Sequence, residues 1–312
     1  MKLKLIAQLC LSTLIGCGGD IGIAKEKTQN DPYDPIEEMP EDSGEYEDQE
    51  EVEDIDDPEQ AEDFVYRGPY EVFKEDRTAN VTNCAGMSFA VYSPAGVVNP
   101  PVTVLGHGFA RGPETMSGWA DHLASWGVEV LLPTLCHYNI LAGVDHEMNG
   151  QNMIELAQHH TTEEVAYAGH SAGGLAAIIA ASLDENSLGV LGLDATDTEG
   201  APGVPDFIGQ QYADSVAGTG FSVRGEPSSC NSNSNGLALF DMMNEAYVVK
   251  IDQADHCDFE NPTDFMCEVS CENTQATVSD EEVRSLIMTF GTSAILTLTG
   301  LNSDGWIIWR GQ

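Results

Sequence analysis

Positive charge is scarce in this chain: 12 Lys and Arg stand against 52 Asp and Glu in 312 residues, a formal net charge of −40. Between Gly112 and Val249 the only Lys or Arg is Arg224. No surface there can neutralise a row of phosphates, which argues against nucleic acid or anionic lipid as a partner. Also missing is an apolar run of the ~20 residues needed to cross a bilayer. The cysteine segments CHYN, HCDF and CEVSC contain no C-x-x-C pair, so a zinc site has little to stand on, and neither metal nor cofactor is expected. There is no internal repeat. Hydrophobic residues are 42% of the whole, which is ordinary for a globular chain.

What is present begins with MKLKLIAQLCLSTLIGCGGD. Lys2 and Lys4 precede an apolar run from Leu5 to Ile15, the charge and hydropathy profile of an export signal. Leu14-Ile15-Gly16-Cys17 resembles a bacterial lipobox, which implies cleavage after residue 16, lipid on Cys17 and a protein held on the cell envelope; a soluble secreted form is the alternative. Residues 26 to 63 hold 19 acidic residues and one basic, Lys27. Such a segment cannot bury enough apolar surface to offset chain entropy, and its like charges extend it. The expected organisation is therefore a signal peptide at 1–16, a lipidated acidic spacer at 17–63 and one folded domain at 64–312. That domain is acidic too, with 32 carboxylates against 8 Lys and Arg. Its membrane contact would come only through the lipid, and a monomer is expected.

Cys84, Cys136, Cys230, Cys257, Cys267 and Cys271 remain after the signal and the lipidation site. An even set in an exported chain points to disulfides, whose pairing the sequence leaves open.

From residue 66 onward, short β-branched runs alternate with helical patterns, which predicts an α/β fold with a mostly parallel central sheet and helices on both faces. Strands are expected near 87–92, 101–105, 128–132, 164–168, 189–193, 220–224 and 246–251, and helices near 114–126, 148–159, 172–182, 237–245 and 280–299. On that frame, Gly169-His170-Ser171-Ala172-Gly173 fits the G-x-S-x-G turn. It follows the strand EVAYA and opens the helix GGLAAIIAASL, the context in which a serine hydroxyl is exposed as a nucleophile. His256, in QADHCDF, is the only histidine after Ser171 and lies past a strand end, which makes it the expected base. The acid is open among Asp194, Asp197 and Glu226, since the role requires only a carboxylate in reach of the second ring nitrogen. The turn LGHGFARG after the strand PVTVL would supply the Phe109 amide, with that of Ala172, as an oxyanion hole. His107 is expected to brace that turn. Trp119, Trp126 and Met116 are candidates for lining a pocket, but aromatic and Met residues at helical spacing more often belong to the core, which is where they are expected.

The stretch LGHGFARGPETMSGWADHLASWGVEVLLPTL resembles the corresponding part of chlorophyllases and of the bacterial cutinase and PET-hydrolase group. GHSAGG, GLDATD and ADHCDF follow in the same order, GLDATD being similar to the chlorophyllase GLDPVD. The resemblance spans about residues 66 to 300 and implies an α/β-hydrolase fold without a large lid, and cleavage of carboxylic esters through an acyl-enzyme without a cofactor. It favours Asp194 as the acid, as in chlorophyllases and the similar platelet-activating-factor acetylhydrolases; PET hydrolases place it one strand later, where this chain has Glu226. A Cys230–Cys257 bridge pinning His256 is implied by a similar bridge in some PET hydrolases. The substrate would be a small or polymeric ester. An extracellular polyester depolymerase, its exposed site carried on the tether, is the alternative within enzymes, acyl transfer to another acceptor a further one, and a non-catalytic surface-binding module the alternative outside them.

Overall fold

The computed structural model describes residues 63–139, 143–200, 204–271, 276–302 and 305–310, all within the unit Ile55–Gln312. The expected signal peptide, Cys17 and the acidic spacer up to residue 62 lie outside the described residues. Eight strands form one sheet: β1 (Val72–Val81), β2 (Cys84–Pro94), β3 (Val102–Gly106), β4 (Glu129–Pro133), β5 (Val165–His170), β6 (Ser187–Leu193), β7 (Thr219–Arg224) and β8 (Ala246–Lys250). Their order is β1-β2-β4-β3-β5-β6-β7-β8. β2 pairs antiparallel with β1 and β4, and every other pairing is parallel. The expected α/β class, with a mostly parallel sheet, is what the chain forms.

Side chains alternate across the sheet with the period of two that strands impose. Val104, Leu131, Tyr167 and Val190 enter one core with α2 (His146–His160), α3 (Ala172–Leu183) and α4 (Leu237–Met242). Leu105, Val130, Ala166, Ala168 and Leu191 enter the other with α1 (Ser117–Ser125), α6 (Asp280–Leu298) and Trp309 of α7 (Gly305–Arg310). Burial on both faces explains why the inner strands read as continuous apolar runs. β1 has no such run: Lys74, Glu75, Asp76 and Arg77 are exposed on it, as suits an edge strand that must not recruit another chain, and this is why the sequence reading passed over it. It turns into β2 through Asn83, at φ 58°. The bridge Cys84–Cys136, with Cα atoms 6.1 Å apart, ties β2 to the segment after β4.

α3 is buried throughout from Ala172 to Ala181, and small residues let it lie against the sheet. A Cβ on Gly173 would come within 2.5 Å of the His107 carbonyl oxygen and 2.6 Å of the Gly106 carbonyl. Both are backbone atoms, so a rotamer change cannot relieve the clash. Gly173→Ala is expected to lower stability by about 3 kcal/mol, read from the urea midpoint; a loss under about 1 kcal/mol would show that the helix retreats freely.

Candidate active site

Parallel strands end together at one edge of the sheet, and the loops after β3, β5, β6, β7 and β8 all open there. β5 delivers Ser171. Its backbone sits at φ 56°, ψ −124°, a conformation L-residues rarely hold without support from the surrounding structure. That support is visible: the Ser171 amide donates to the Leu193 carbonyl at 3.0 Å, and its carbonyl accepts from the amides of Gly174 (3.0 Å) and Thr196 (3.3 Å). Ser171 stands in the N-cap position of α3 but makes no capping bond with its side chain, so its hydroxyl remains available for chemistry.

β6 ends one register step away, since His170 pairs with Leu193. The next residue, Asp194, is 1% exposed and itself at φ 43°. Its carboxylate accepts from His256 Nδ1 at 2.6 Å, from the Gly225 amide at 3.1 Å and from Asn231 Nδ2 at 3.3 and 3.1 Å. A buried carboxylate holding that many donors is immobile. It fixes the proton of His256 on Nδ1 and turns Nε2 into the acceptor. Among the described residues, neither His256 Nε2 nor the Ser171 hydroxyl has a hydrogen-bond partner. Nucleophile and base are commonly open in this way before substrate binds.

The two other carboxylates weighed for the acid are engaged elsewhere. Glu226 holds Lys250 at 3.1 Å and the Gln253 amide at 3.1 Å. Asp197 accepts from the amides of Thr198 (2.8 Å) and Gly209 (2.9 Å), bracing the loop after β6, and burial pushes its carboxyl up from the ordinary value.

The loop after β3 runs against the nucleophile. A Cβ on Gly108 would lie 3.3 Å from His170 Nδ1 and Arg111 Cγ and 3.5 Å from Ser171 Cβ, so the turn packs closely on Ser171. Neither the Phe109 nor the Ala172 amide donates to a protein acceptor among the described residues, as an oxyanion pair requires. His107 braces this loop as expected. Its Nε2 accepts from the Leu135 amide at 3.0 Å, leaving Nδ1–H to donate to the Gly108 carbonyl at 2.9 Å. The Phe109 side chain is 40% exposed at the rim, edge-on to Tyr138 with ring centroids 6.2 Å apart. Met116 and Trp119 are in the core, and Trp126 is partly buried against it.

All six candidate cysteines are bridged, but the Cys230–Cys257 link implied by resemblance is not formed. Cys230 joins Cys271, and Cys257 joins Cys267. The reason is α5 (Phe265–Cys271), which the sequence reading did not predict. Residues four apart share one helix face, so Cys267 and Cys271 reach two loops from one helix. His256 is thus pinned through its neighbour Cys257 to α5, and Cys230 beside Asn231 is pinned to the same helix.

Three contributors escaped the sequence reading. Asn231 is fully buried. Besides holding Asp194, it donates to the Glu226 carbonyl (2.8 Å) and accepts from the amides of Ser228 (2.8 Å) and Ser234 (3.0 Å). In the polar run SSCNSNSN nothing singles it out. Tyr138 donates to the Ala172 carbonyl at 2.5 Å, holding the first residue of α3. His170 is expected from the sequence only as a solvated or packed residue; it is buried, and its Nε2–H donates to the His256 carbonyl at 3.0 Å. Burial, then the neighbouring His256, holds His170 well below the ordinary histidine value, so it stays neutral.

Compared with known proteins, the chain matches no family model and no curated protein sequence.

Proposed function

We propose that the protein is a serine carboxylic-ester hydrolase on an α/β-hydrolase fold. The observation that carries this reading is the 2.6 Å bond from His256 Nδ1 to a buried, multiply bonded Asp194, set beside a serine at positive φ that opens a helix. The chain order Ser171, Asp194, His256 and the two amides, one after the nucleophile and one from the loop between β3 and α1, fit the arrangement of that fold. In this mechanism Ser171 Oγ attacks the ester carbonyl while His256 Nε2 takes its proton. Asp194 steadies the imidazolium, and the Phe109 and Ala172 amides hold the oxyanion. The alcohol leaves with the proton from His256, and water repeats the sequence on the acyl-enzyme. The residues of this cycle require no cofactor. An acyl-enzyme open to acceptors other than water would transfer its acyl group instead. The signal-like residues 1–16 and Cys17 support an exported enzyme, held on the envelope by lipid or secreted.

The test is a fluorophosphonate with peptide mapping, beside p-nitrophenyl esters from acetyl to palmitoyl. Label on the Ser171 peptide with turnover of at least one ester is expected. A chain that neither labels nor turns over any ester is a binding module instead. One observation favours a polyester as the substrate: Phe265, Met266 and Val269 of α5 are 73%, 65% and 67% exposed on the helix that both bridges staple beside His256. Release of soluble acid from a polyester film, lost in the triple serine variant at these positions, checks it.

A further inference from the structure

Arg111 is one of only 8 Lys and Arg from Phe64 onward. It stands in the loop after β3, two residues beyond Phe109, and its side chain is turned inward, 16% exposed. Its Nε and Nη2 donate to the two oxygens of Glu260, both at 2.6 Å, and Nη2 also reaches Asp264 at 2.9 Å. The Glu260 side chain is fully buried. Its remaining neighbours are Thr263 Oγ1 at 3.4 Å and the neutral His170 at 3.8 Å. Glu260 caps the short helix His256–Phe259 that begins with the base.

A buried ion pair is a poor device for stability, because desolvating both charges can cancel their attraction and an apolar pair of similar size often serves as well. What a bidentate guanidinium–carboxylate pair supplies is a fixed plane and a fixed distance. Other bonds join the same segments farther from the chemistry: Gly118 amide to Asn261 carbonyl and Asn261 amide to Thr115 carbonyl, both 2.7 Å, and Trp119 Nε1 to Phe259 carbonyl, 2.9 Å. Arg111 alone among these belongs to the turn that carries Phe109. His170 closes the circuit from below by holding the His256 carbonyl. We propose that Arg111 and Glu260 are positioning residues: their ion pair clamps the loop that supplies the oxyanion amide to the helix that carries the base, and so sets the gap in which the ester carbonyl is held. The proposal rests on the esterase reading above and adds to it the part that fixes its geometry.

The test replaces the pair and not one partner. In the full-length chain, Arg111→Met and Glu260→Met are made singly and together, with Arg111→Lys beside them. Arg111→Met leaves the Glu260 carboxylate buried without its cation and should lower the thermal midpoint, whereas Glu260→Met leaves Arg111 with Asp264 and should lower it less. The double variant should recover the midpoint to within a few degrees, keep KM for p-nitrophenyl butyrate within about twofold, and lose about tenfold to a hundredfold in kcat, the penalty of misplacing reacting groups by a fraction of an ångström to an ångström. Arg111→Lys, which keeps the charge but not the fork, should show the same kcat loss at near-native midpoint, and it decides the matter if the double variant does not fold. Wild-type kcat in either well-folded variant overturns the proposal. If the wild type neither labels with fluorophosphonate nor cleaves an ester, the esterase reading falls on its own. The clamp is then read from the downfield proton resonance of the His256 Nδ1–Asp194 bond, which should move or broaden in Arg111→Lys; an unchanged resonance refutes it.

Discussion

Asp194→Asn should lower kcat for a p-nitrophenyl ester about ten-thousand-fold while the protein stays folded, the size of effect expected when an orienting carboxylate is lost. The hydrogen bonds say why an isosteric amide would fail. The Gly225 amide points at Oδ1, so an asparagine must keep its oxygen there and place its NH2 where Oδ2 now accepts from His256. That NH2 faces Nδ1 as a donor. The imidazole must then carry its proton on Nε2, where it cannot take the proton of Ser171. The same NH2 would also meet Asn231 Nδ2, which now donates to Oδ2 at 3.1 Å. Two donors in contact in a buried site cost stability as well as rate. Steady-state kinetics with the urea midpoint separates the two. A variant within a hundredfold of wild type would mean that another group orients His256, and the assignment of Asp194 would fall.

How much of this was written in the sequence depends on the range over which each signal acts. The turn at Ser171 was legible because its determinants are local: strand, two glycines and helix are adjacent from 165 to 183, and a Cβ on Gly169 would meet the Gly173 carbonyl at 2.3 Å within that stretch. Asp194 was only one of three candidates on chain position and is distinguished in space, by bonds from residues 225, 231 and 256. Asn231 and the Arg111–Glu260 pair were illegible for the same reason, being contacts between segments up to 149 residues apart with no periodicity to mark them. β1 was missed because a charged edge strand carries no apolar run, and α5 because a seven-residue helix with Phe265, Met266 and Val269 facing solvent shows the reverse of the usual amphipathic pattern. The implied Cys230–Cys257 pairing was carried over from a resemblance and took no account of α5, which offers each of the two cysteines a nearer partner.

Lowering the pH from 7 to 4.5 should destabilise the fold by several kcal/mol, although the chain is so acidic that relief of charge repulsion would suggest the opposite. The cause is histidine. His122, which donates through Nε2 to the Phe64 carbonyl at 2.9 Å, and His146, whose buried Nδ1 has no hydrogen-bond partner among the described residues, are both held down to about 4 from 6.5, chiefly by burial. A histidine of this kind takes up its proton in the unfolded chain as pH falls through 6.5 but not in the folded one until about 4. Each therefore withdraws up to about 3 kcal/mol across that window. Burial displaces His107 and His170 in the same direction. Asp258 acts against them. Burial pushes its carboxyl up to about 6, so it gains a proton in the folded state first and adds stability as pH falls from 6 toward 3.8. Burial raises Asp197 as well, and it acts in the same sense; two such carboxylates, even helped by reduced net repulsion, do not offset four histidines when total stability is about 5–15 kcal/mol. Urea midpoints at pH 7.5, 6.5, 5.5 and 4.5 should fall steadily below 6.5. His122→Gln, whose amide can still donate to Phe64, should flatten the fall by about 2 kcal/mol. A midpoint that rises toward pH 4.5 would show that carboxylates govern the fold. A falling one would show that the buried neutral histidines, His170 beside His256 among them, govern the response of the fold to acid.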